Sequence, residues 1–270
     1  METTDLLQTQ SKILREDILS MITSAGSGHP GGSLSAIDII TTLYFKVLRH
    51  RPTDPEWSDR DRFILSKGHA APALYAALAR TGYFPIEELI TLRQLGARLQ
   101  GHPEKGRLPG IEASTGSLGQ GLSIGAGMAL AGRLDQKNYR VYVLMGDGEV
   151  NEGQVWEAAL FAAHYKIDSL TAILDCNRQQ LDGWTKEIMN IDPIAEKWRS
   201  FGWHLIEIDG HDFNAILSAF SEAQTAGKPT LILAHTTKGK GVSFMENNLE
   251  FHGMAPTPEQ FQTAMAELHA

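Results

Sequence analysis

Short apolar runs in the second half of the chain alternate with longer amphipathic segments. The runs have the length and composition of strands, and they span Arg140–Met145, which is predicted to be buried, Leu170–Leu174, His204–Ile208 and Thr230–Ala234. The intervening segments have helical periodicity, and they span Glu152–Tyr165, Asp192–Gly202 and Phe213–Ala226. Strands that alternate with helices predict an α/β fold, in which a mostly parallel sheet carries helices on both faces.

The remaining helices are predicted by their apolar stripes and their end signals. A first helix covers about Asp5–Ser24 and ends at Gly26 and Gly28, and a second covers about Ser33–Leu48 with Ser33 as its N-cap. Further helices are predicted over Leu118–Leu134 and within the C-terminal segment 257–270. In the helix over Asp192–Gly202, Asp192 is predicted to cap and Pro193 to lie in the first turn.

Composition excludes several classes of function. The net charge of -8 and the absence of a Lys/Arg run argue against nucleic-acid binding and against an acidic membrane surface. No apolar stretch is long enough to span a membrane, and the N-terminus lacks the apolar core of a signal peptide. Cys176 is the one cysteine, which fits a reducing compartment, so we expect a cytoplasmic protein.

Polar residues follow the predicted strands at the edge where parallel sheets bind ligands. Asp147 and Asn177 each end a strand, and the segment His235–Lys240 follows a third. A carboxylate, an amide oxygen and a backbone carbonyl form an oxygen set that suits Mg²⁺ or Ca²⁺, and Mg²⁺ above all where a diphosphate adds ligands. The GDG pattern is short, however, and Asp147 capping a helix with Asn177 in a turn remains the alternative.

Other candidate motifs allow a structural explanation as well as a functional one. The spacing Gly119-x-Gly121-x-x-x-Gly125 is not that of a dinucleotide loop, and a closely packed Gly/Ala helix is the favoured interpretation. Glu152 and Glu157 can simply favour the start of a helix. Four histidines lie beside Gly or Pro, where they can form turns or bind a polyhydroxylated or phosphorylated substrate and shuttle protons: His29, His69, His102 and His252. Zinc is weakly supported, because there is one cysteine and no short histidine pair.

Nine stretches, taken together and in this order, resemble the N-terminal half of a transketolase. They are SGHPGG, DRFILSKGHAAPALYAAL, GHPE, STGSLGQGLS, GDGEVNEGQVWEA, LDCNRQQLDG, IDGHD, TTKGKGVSFMEN and FHG. The resemblance runs from about residue 10 to residue 256. It implies the thiamine diphosphate-binding fold, and within that family the domain that binds the diphosphate end of the cofactor. The cofactor would be held through Mg²⁺, Ca²⁺ or Mn²⁺.

The resemblance also implies roles for individual residues. Asp147 and Asn177 would bind the metal through their side chains, and Gln179 through its backbone carbonyl. The catalytic set would be His29, His69, His102, His252 and Glu152, with His29 and His102 on the sugar. Glu152 and Glu157 would belong to the carboxylate network at the family's subunit interface. The cofactor-binding residues would be His69, Gly116, Ser117, Leu118, Asp147, Gly148, Glu149, Asn177, Lys238 and His252.

The chain also departs from the family pattern. Cys176 stands where full-length members usually carry a second Asn, and RQQLDG replaces the usual GLQIDG. Ser117 stands where many members have Pro, which leans toward the two-subunit members. The resemblance implies that the family's pyrimidine-binding domain, with the glutamate that bonds the aminopyrimidine ring, and its C-terminal domain are to be expected on another chain.

The sequence therefore predicts that residues 1–270 form a single diphosphate-binding domain of a split transketolase. A partner chain would supply the missing domains in a heterotetramer with two of each subunit, and the chain alone would be inactive. The complex would transfer a two-carbon ketol unit between sugar phosphates, as in the pentose phosphate pathway. Alternatives are a subunit of a deoxyxylulose-phosphate-synthase-like or 2-oxoacid-decarboxylating enzyme, or a non-catalytic cofactor-binding regulator.

Overall fold

In the computed structural model, which describes residues 3–269, five strands form one sheet that is parallel throughout. Its order is β1-β2-β3-β5-β4. Four of these strands were predicted, and the remaining one, β1, lies at an edge of the sheet beside β2. The bounds are β1 Arg62–Leu65, β2 Val141–Gly146, β3 Leu170–Cys176, β4 His204–Asp209 and β5 Thr230–His235.

Helices connect the strands and flank the sheet. The α-helices are α1 Thr3–Ala25, α2 Pro30–Thr42, α3 Ala71–Arg80, α4 Gln120–Leu134, α5 Gly153–His164, α6 Thr185–Ile188, α7 Ile194–Ser200, α8 Phe213–Ala223 and α9 Pro258–His269. A π-helical turn, Leu43–Val47, extends α2. Short 3-10 turns span Gly68–Ala70, Ile86–Thr91, Gly148–Asn151 and Leu249–His252.

Alternating residues of the strands pack into two separate apolar cores. In β2, Tyr142 and Leu144 join the core formed with α1, α2, α3 and α8. Val143 and Met145 point the other way and join the core formed with α4, α5 and α7. Side chains alternate across a strand, so a sheet buried on both faces needs a helical layer on each side. The predicted α/β architecture with helices on both faces is confirmed.

Two predicted helix starts are wrong. α2 begins at Pro30, not at Ser33; Ser33 is buried inside the helix, and its hydroxyl donates to the His29 carbonyl at 2.8 Å. Proline is favoured in the first helical turn, which explains the earlier start. α7 begins at Ile194 with Pro193 in the N-cap position, and Asp192 makes an ion pair with Arg178.

The sheet topology brings the candidate residues to one edge. β2, β3 and β5 are neighbours, so the segments that follow them lie side by side at the carboxyl ends of the strands. The backbone N–H of Asp147 donates to the Asp175 carbonyl across this edge at 3.3 Å. Within residues 3–269, no helix is both long enough and apolar enough to cross a membrane.

Candidate active site

A pocket of about 230 Å³ opens at the carboxyl ends of β2, β3 and β5. Its lining brings together residues that are far apart in the chain: Gly32, Lys67, His69, Leu118, Gly146, Asp147, Gly148, Glu149, Asn177, Gln179, Gln180, Leu181, Lys238 and His252. Eight of the ten predicted cofactor residues lie in this lining, namely His69, Leu118, Asp147, Gly148, Glu149, Asn177, Lys238 and His252. The predicted cluster at this edge of the sheet therefore exists as a cavity.

Asp147 is a buried carboxylate at the base of the pocket. It is the N-cap of the 3-10 turn that follows β2, and it accepts the Gly148 N–H at 2.8 Å. Its other oxygen accepts the Arg178 N–H. Burial, with the negative charge of Asp175 nearby, raises the pKa of Asp147 to about 7. The capping alternative is thus correct as local structure, but it leaves a buried carboxylate that a cation would stabilise.

Asn177 and Gln179 supply further oxygen atoms beside Asp147. The Asn177 amide oxygen accepts the Gln179 N–H at 3.0 Å, which is the turn that the sequence offered as an alternative. The Gln179 side chain donates to the Asn247 carbonyl at 2.9 Å, while its own amide oxygen is buried without a partner among residues 3–269. Each of these oxygens keeps acceptor capacity, so the donor set fits a hard divalent cation.

Lys67 and Asp175 form a buried ion pair behind Asp147, and the sequence analysis missed it. The Lys67 ammonium donates to Asp175 and, at 3.0 Å, to the Gly32 carbonyl. Burial would raise the pKa of Asp175, but Lys67 and two hydroxyl donors, Ser35 and Thr236, hold that pKa below its usual value. A signal existed, since Asp175 ends an otherwise apolar strand and Lys67 precedes His69 in the motif LSKGHA.

Glu149 accepts hydrogen bonds from three different segments of the chain around the pocket. One oxygen accepts the Gly119 N–H at 2.8 Å and a bond from the Ser66 hydroxyl, and the other accepts the Gly146 N–H at 3.1 Å. Burial raises the pKa of this carboxyl despite those bonds. The contacts of Glu149 are those of a residue that fixes loop geometry, and it also borders the pocket.

Several glycines leave space in the pocket lining or allow two loops to approach each other closely. A Cβ on Gly148 would lie 3.0 Å from the Cβ of Gln180, and one on Gly32 would lie 3.3 Å from Nε2 of His69. A Cβ on Gly68 would lie 2.0 Å from the Thr115 carbonyl oxygen, an impossible contact. The bare backbone at Gly32 and Gly148 therefore leaves space that a side chain would fill, as a bound phosphate requires.

The four candidate histidines meet in one cluster, of which His69 and His252 line the pocket while His29 and His102 lie outside its lining. The ring centroid of His29 lies 5.3 Å from that of His69, 6.3 Å from that of His102 and 5.6 Å from that of His252. The rings of His69 and His252 are 5.5 Å apart. Turns alone would scatter these histidines over the surface, so their convergence favours the functional interpretation.

Burial and neighbouring cations keep this histidine cluster neutral. Desolvation, with Arg93 and other cations nearby, lowers the pKa of His29 to about 4. Desolvation and Lys238 lower the pKa of His252 to about 3. The pKa of His69 lies well below its usual value and that of His102 is also lowered, in both cases mainly by burial. At neutral pH the cluster offers imidazole rings rather than imidazolium ions.

Lys238 reaches the cluster from the loop after β5. It is 2% exposed, and its ammonium lies 2.7 Å from Nδ1 of His252. Burial and the charge of Lys67 lower its pKa to about 8. Lys238 thus places a positive charge in the lining of the pocket, beside Lys67, whose own charge is paired with Asp175, and this suits an anionic ligand.

A second buried network of hydrogen bonds and ion pairs contacts the loop after β5. Nε2 of His211 accepts the Thr237 N–H at 2.8 Å, and Nδ1 of His211 lies 2.7 Å from the Asp38 carboxylate. Asp38 also pairs with Arg15, with two contacts of 2.8 and 2.9 Å. This network joins α1 and α2 to the loop that carries Lys238.

Some predicted residues lie outside the pocket lining. Gly116 and Ser117 are exposed in the loop before α4. Glu152 and Glu157 are exposed at the start of α5, as a helix-dipole explanation or a subunit interface would have them. Within residues 3–269, no group of three or more His, Cys, Asp and Glu side chains could hold a metal ion, which argues against the zinc alternative.

The Gly/Ser segment before α4 packs closely, as the structural interpretation predicted. Gly119 has φ +81°, and it forms the N-cap of α4. A Cβ on Gly121 would lie 2.4 Å from Ser66 side-chain atoms, and one on Gly125 would lie 2.5 Å from Val143. These glycines let α4 approach the sheet, and they do not form a dinucleotide loop.

Comparisons with known proteins agree with this geometry. Residues 7–268 match a family model described as "Transketolase, thiamine diphosphate binding domain". The chain is 49% identical over 263 residues to the 6-deoxy-6-sulfo-D-fructose transketolase subunit SqwG of Clostridium sp. (strain MSTE9), and the match covers 97% of this chain and 96% of that protein. It is 43% identical to one of the apulose-4-phosphate transketolase subunits of Phocaeicola vulgatus, over 98% of this chain and 94% of that protein.

Longer proteins match over part of their length. The transketolase of Pongo abelii is 42% identical over 94% of this chain, which spans only 40% of that protein. The crystal structure of transketolase from Campylobacter jejuni superimposes with a TM-score of 0.94 at 34% identity, over 98% of this chain and 43% of that one.

Proposed function

Because the chain belongs to the transketolase family, we propose that it is the diphosphate-binding subunit of a two-chain, thiamine diphosphate-dependent transketolase. The complex transfers a two-carbon ketol unit from an anionic ketose to an aldose phosphate. One observation carries the proposal: Asp147, Asn177, His69 and His252 line one pocket at the edge of the sheet, and the rings of His29 and His102 continue the histidine cluster outward from that lining.

The division between two chains is part of the proposal. Residues 1–270 form one diphosphate-binding domain, and a partner chain supplies the pyrimidine-binding and C-terminal domains. Two relatives that match this chain along nearly their whole length are named as transketolase subunits. By contrast, this chain spans about two fifths of the single-chain transketolases. We propose an assembly of two subunits of each kind, with Glu152 and Glu157 at the interface, in the cytoplasm.

The pocket residues fit the cofactor and a divalent cation. Asp147 and Asn177 would hold Mg²⁺, or Ca²⁺ or Mn²⁺, through their side chains, and Gln179 through its carbonyl. Gly148 leaves room for the diphosphate, and Lys238 adds positive charge to the pocket lining. When bound, thiamine diphosphate supplies the nucleophilic carbon that makes and breaks the carbon–carbon bond.

The chain's own contribution to the reaction is binding, orientation and proton handling. His29 and His102 would contact the sugar, and His69 and His252, which line the pocket, would lie against the cofactor. As neutral rings, these histidines can each donate and accept a hydrogen bond, which suits a polyhydroxylated substrate. Glu149 holds the loops that carry Gly119 and Gly146 in place.

The substrate proposal starts from the relatives' names. SqwG is named for 6-deoxy-6-sulfo-D-fructose, and the relative from Phocaeicola vulgatus is named for apulose 4-phosphate. Both are ketoses, and both carry an anionic group. We propose an anionic ketose as donor, and 6-deoxy-6-sulfofructose, from the 49% identical relative, is the first to test beside fructose 6-phosphate and xylulose 5-phosphate. Participation in the pentose phosphate pathway stays a prediction that the ordinary sugar phosphates test.

Calorimetric titration tests the cofactor site. Thiamine diphosphate is titrated into the chain with Mg²⁺ and with EDTA, in the presence and absence of the partner chain. We expect Mg²⁺-dependent binding that Asp147→Asn abolishes and that Asp182→Asn, an exposed acid in the next loop, leaves unchanged. Equal binding by Asp147→Asn and the parent chain would contradict the proposed metal site.

Activity assays test the division of labour. The chain with its partner should transfer the ketol unit from at least one of the three ketoses, and each chain alone should be inactive. Turnover by the purified single chain would refute the two-chain proposal. Cofactor binding without transfer, whatever the ketose, would refute the transketolase assignment but not the cofactor site.

A further inference from the structure

Arg93 determines which nitrogen of His29 can carry the proton. Its guanidinium lies 3.4 Å from Nδ1 of His29 and donates to the Ser27 hydroxyl at 3.0 Å. A guanidinium has donors only, so Nδ1 of His29 must be the acceptor. The neutral ring therefore carries its proton on Nε2.

Lys238 imposes the same form on His252. Its ammonium lies 2.7 Å from Nδ1 of His252, and an ammonium, like a guanidinium, only donates. Lys238 is charged at neutral pH because its pKa stays near 8 despite burial. Nδ1 of His252 therefore accepts, and the proton of this ring also lies on Nε2.

His69 and His102 differ from the other two histidines of the cluster. Among residues 3–269, neither imidazole ring makes a hydrogen bond to a protein group. The Tyr75 hydroxyl donates to the backbone carbonyl of His102 and not to its ring. No cationic donor fixes their proton on one nitrogen. Either ring can present a lone pair to a ligand, whereas His29 and His252 present N–H groups.

We propose that Arg93 and Lys238 are positioning residues that hold His29 and His252 as Nε2–H tautomers. These two histidines then enter the site as hydrogen-bond donors to ligand oxygens, and His69 and His102 are the histidines that can accept a proton. The rings of His29 and His252 lie 5.6 Å apart in an edge-to-face arrangement. Two N–H donors at this spacing suit a ligand with neighbouring oxygen acceptors, such as a hydroxyketone.

The backbone of Arg93 supports a fixed position for its side chain. Arg93 has φ +60°, a left-handed conformation that is uncommon for a residue other than glycine. Its N–H donates to the Leu99 carbonyl at 2.9 Å, which closes the turn 93–99. Such conformations persist where the surrounding structure enforces them. Only the identity of the ligand rests on the proposed function; the tautomers are a property of the chain itself.

Nitrogen-15 NMR of the histidine side chains tests the proposal directly. The whole chain, labelled on histidine and free of cofactor and partner, is studied at pH 7 by long-range ¹H–¹⁵N correlation. Loss of signals in His29→Asn and His252→Asn identifies the two rings. We expect the pattern of a single Nε2–H tautomer for both, and an Nδ1–H pattern or an even mixture at either ring would overturn the assignment there.

Variants separate a positioning role from a structural one. Arg93→Met and Lys238→Met should each shift their own histidine toward a mixture of tautomers, and Arg93→Lys and Lys238→Arg should restore the single form. Arg98→Met and Lys240→Met are the matched controls, because each removes a cation that pairs with a glutamate on the surface. Unchanged spectra in folded Arg93→Met and Lys238→Met would refute the role of the cations.

The tautomer proposal and the proposed function can fail independently of each other. If a methionine variant does not fold, the spectrum of the parent chain still decides the tautomers. A chain with the expected tautomers that never binds thiamine diphosphate would contradict the proposed function and leave this inference in place.

Discussion

Arg15→Met would break a buried ion pair that holds α1 against α2. Arg15 and Asp38 have side chains that are 9% and 5% exposed, with a shortest contact of 2.8 Å. Removing one partner of a buried pair leaves an uncompensated charge and costs about 3–5 kcal/mol. At roughly 2–4 °C per kcal/mol for a large domain, the midpoint of thermal unfolding should fall by about 10 °C.

The dependence on pH should reverse its sign in this variant. Burial would raise the pKa of Asp38, but Arg15, with bonds from His211 and Ser11, holds that pKa well below its usual range. In the parent chain this stabilisation is present above pH 4 and is lost as the pH falls further. Without Arg15, only the bonds from His211 and Ser11 oppose the effect of burial, so we expect the pKa of Asp38 to rise and Arg15→Met to recover stability as the pH falls from 7 toward 5.

The chain offers a matched control in a second ion pair of α1, which joins it to α3. Arg80 pairs with Asp17 of α1 through two contacts of 2.7 and 2.8 Å, but the side chains are 31% and 11% exposed. Arg80→Met should cost at most about 1 kcal/mol, because exposed pairs contribute little. Arg15→Met/Asp38→Asn, which removes both charges, should recover much of the loss. Chemical denaturation at pH 5 and 7 measures all four proteins, and equal costs for Arg15→Met and Arg80→Met would refute the reasoning from burial.

Three further predictions use other buried groups. Gly68→Ala should lower the free energy of unfolding by about 3 kcal/mol, because the new Cβ would lie 2.0 Å from the Thr115 carbonyl oxygen. The control is Gly153→Ala, whose Cβ would lie in open space, and it should cost less than about 1 kcal/mol in the same denaturation assay. The pKa of Lys238 is lowered from 10.5 to about 8, so the folded chain disfavours the charged form of this lysine. The free energy of unfolding of the parent chain, measured relative to that of Lys238→Met, should therefore rise by up to about 3 kcal/mol from pH 7 to pH 10.5. A difference in unfolding midpoint that does not change with pH would contradict this. Burial raises the pKa of the Cys176 thiol to about 12, so an aromatic disulfide reagent should react with it only after denaturation, and rapid reaction of the folded chain would show that the thiol is accessible.

The sequence predicted those parts of the fold in which local pattern and tertiary structure agree. Four strands were recognisable because each is a short, mainly apolar run, and Asp147 was recognisable because it follows one of them between two glycines. β1 was missed because it contributes only four residues, Arg62–Leu65, next to polar segments. Ser33 was misjudged because a serine before an apolar stripe resembles an N-cap, while Pro30 and two glycines start the helix earlier.

The parts of the site that could not be predicted depend on contacts between distant segments. Lys67 and Asp175 are 108 residues apart in the chain, and neither reads as half of a buried pair until β1, β2 and β3 are placed side by side. The histidine motifs were visible one by one, but the distances between the rings are set by the loops that carry them. The contact between Arg93 and His29 likewise depends on a turn that no local pattern indicates.

Early and late segments of the chain pack against each other, and this has a consequence for how the protein folds. Arg15 donates to the Lys240 carbonyl at 3.1 Å across a sequence separation of 225 residues, and α1 packs against α9. Contacts of such long range form late and make folding slow. Nascent or truncated chains that lack the segment around Lys238 and His252 would have no complete pocket. Ligand binding at the pocket would therefore report that the last third of the chain has been synthesised and folded, and it would stabilise that state alone.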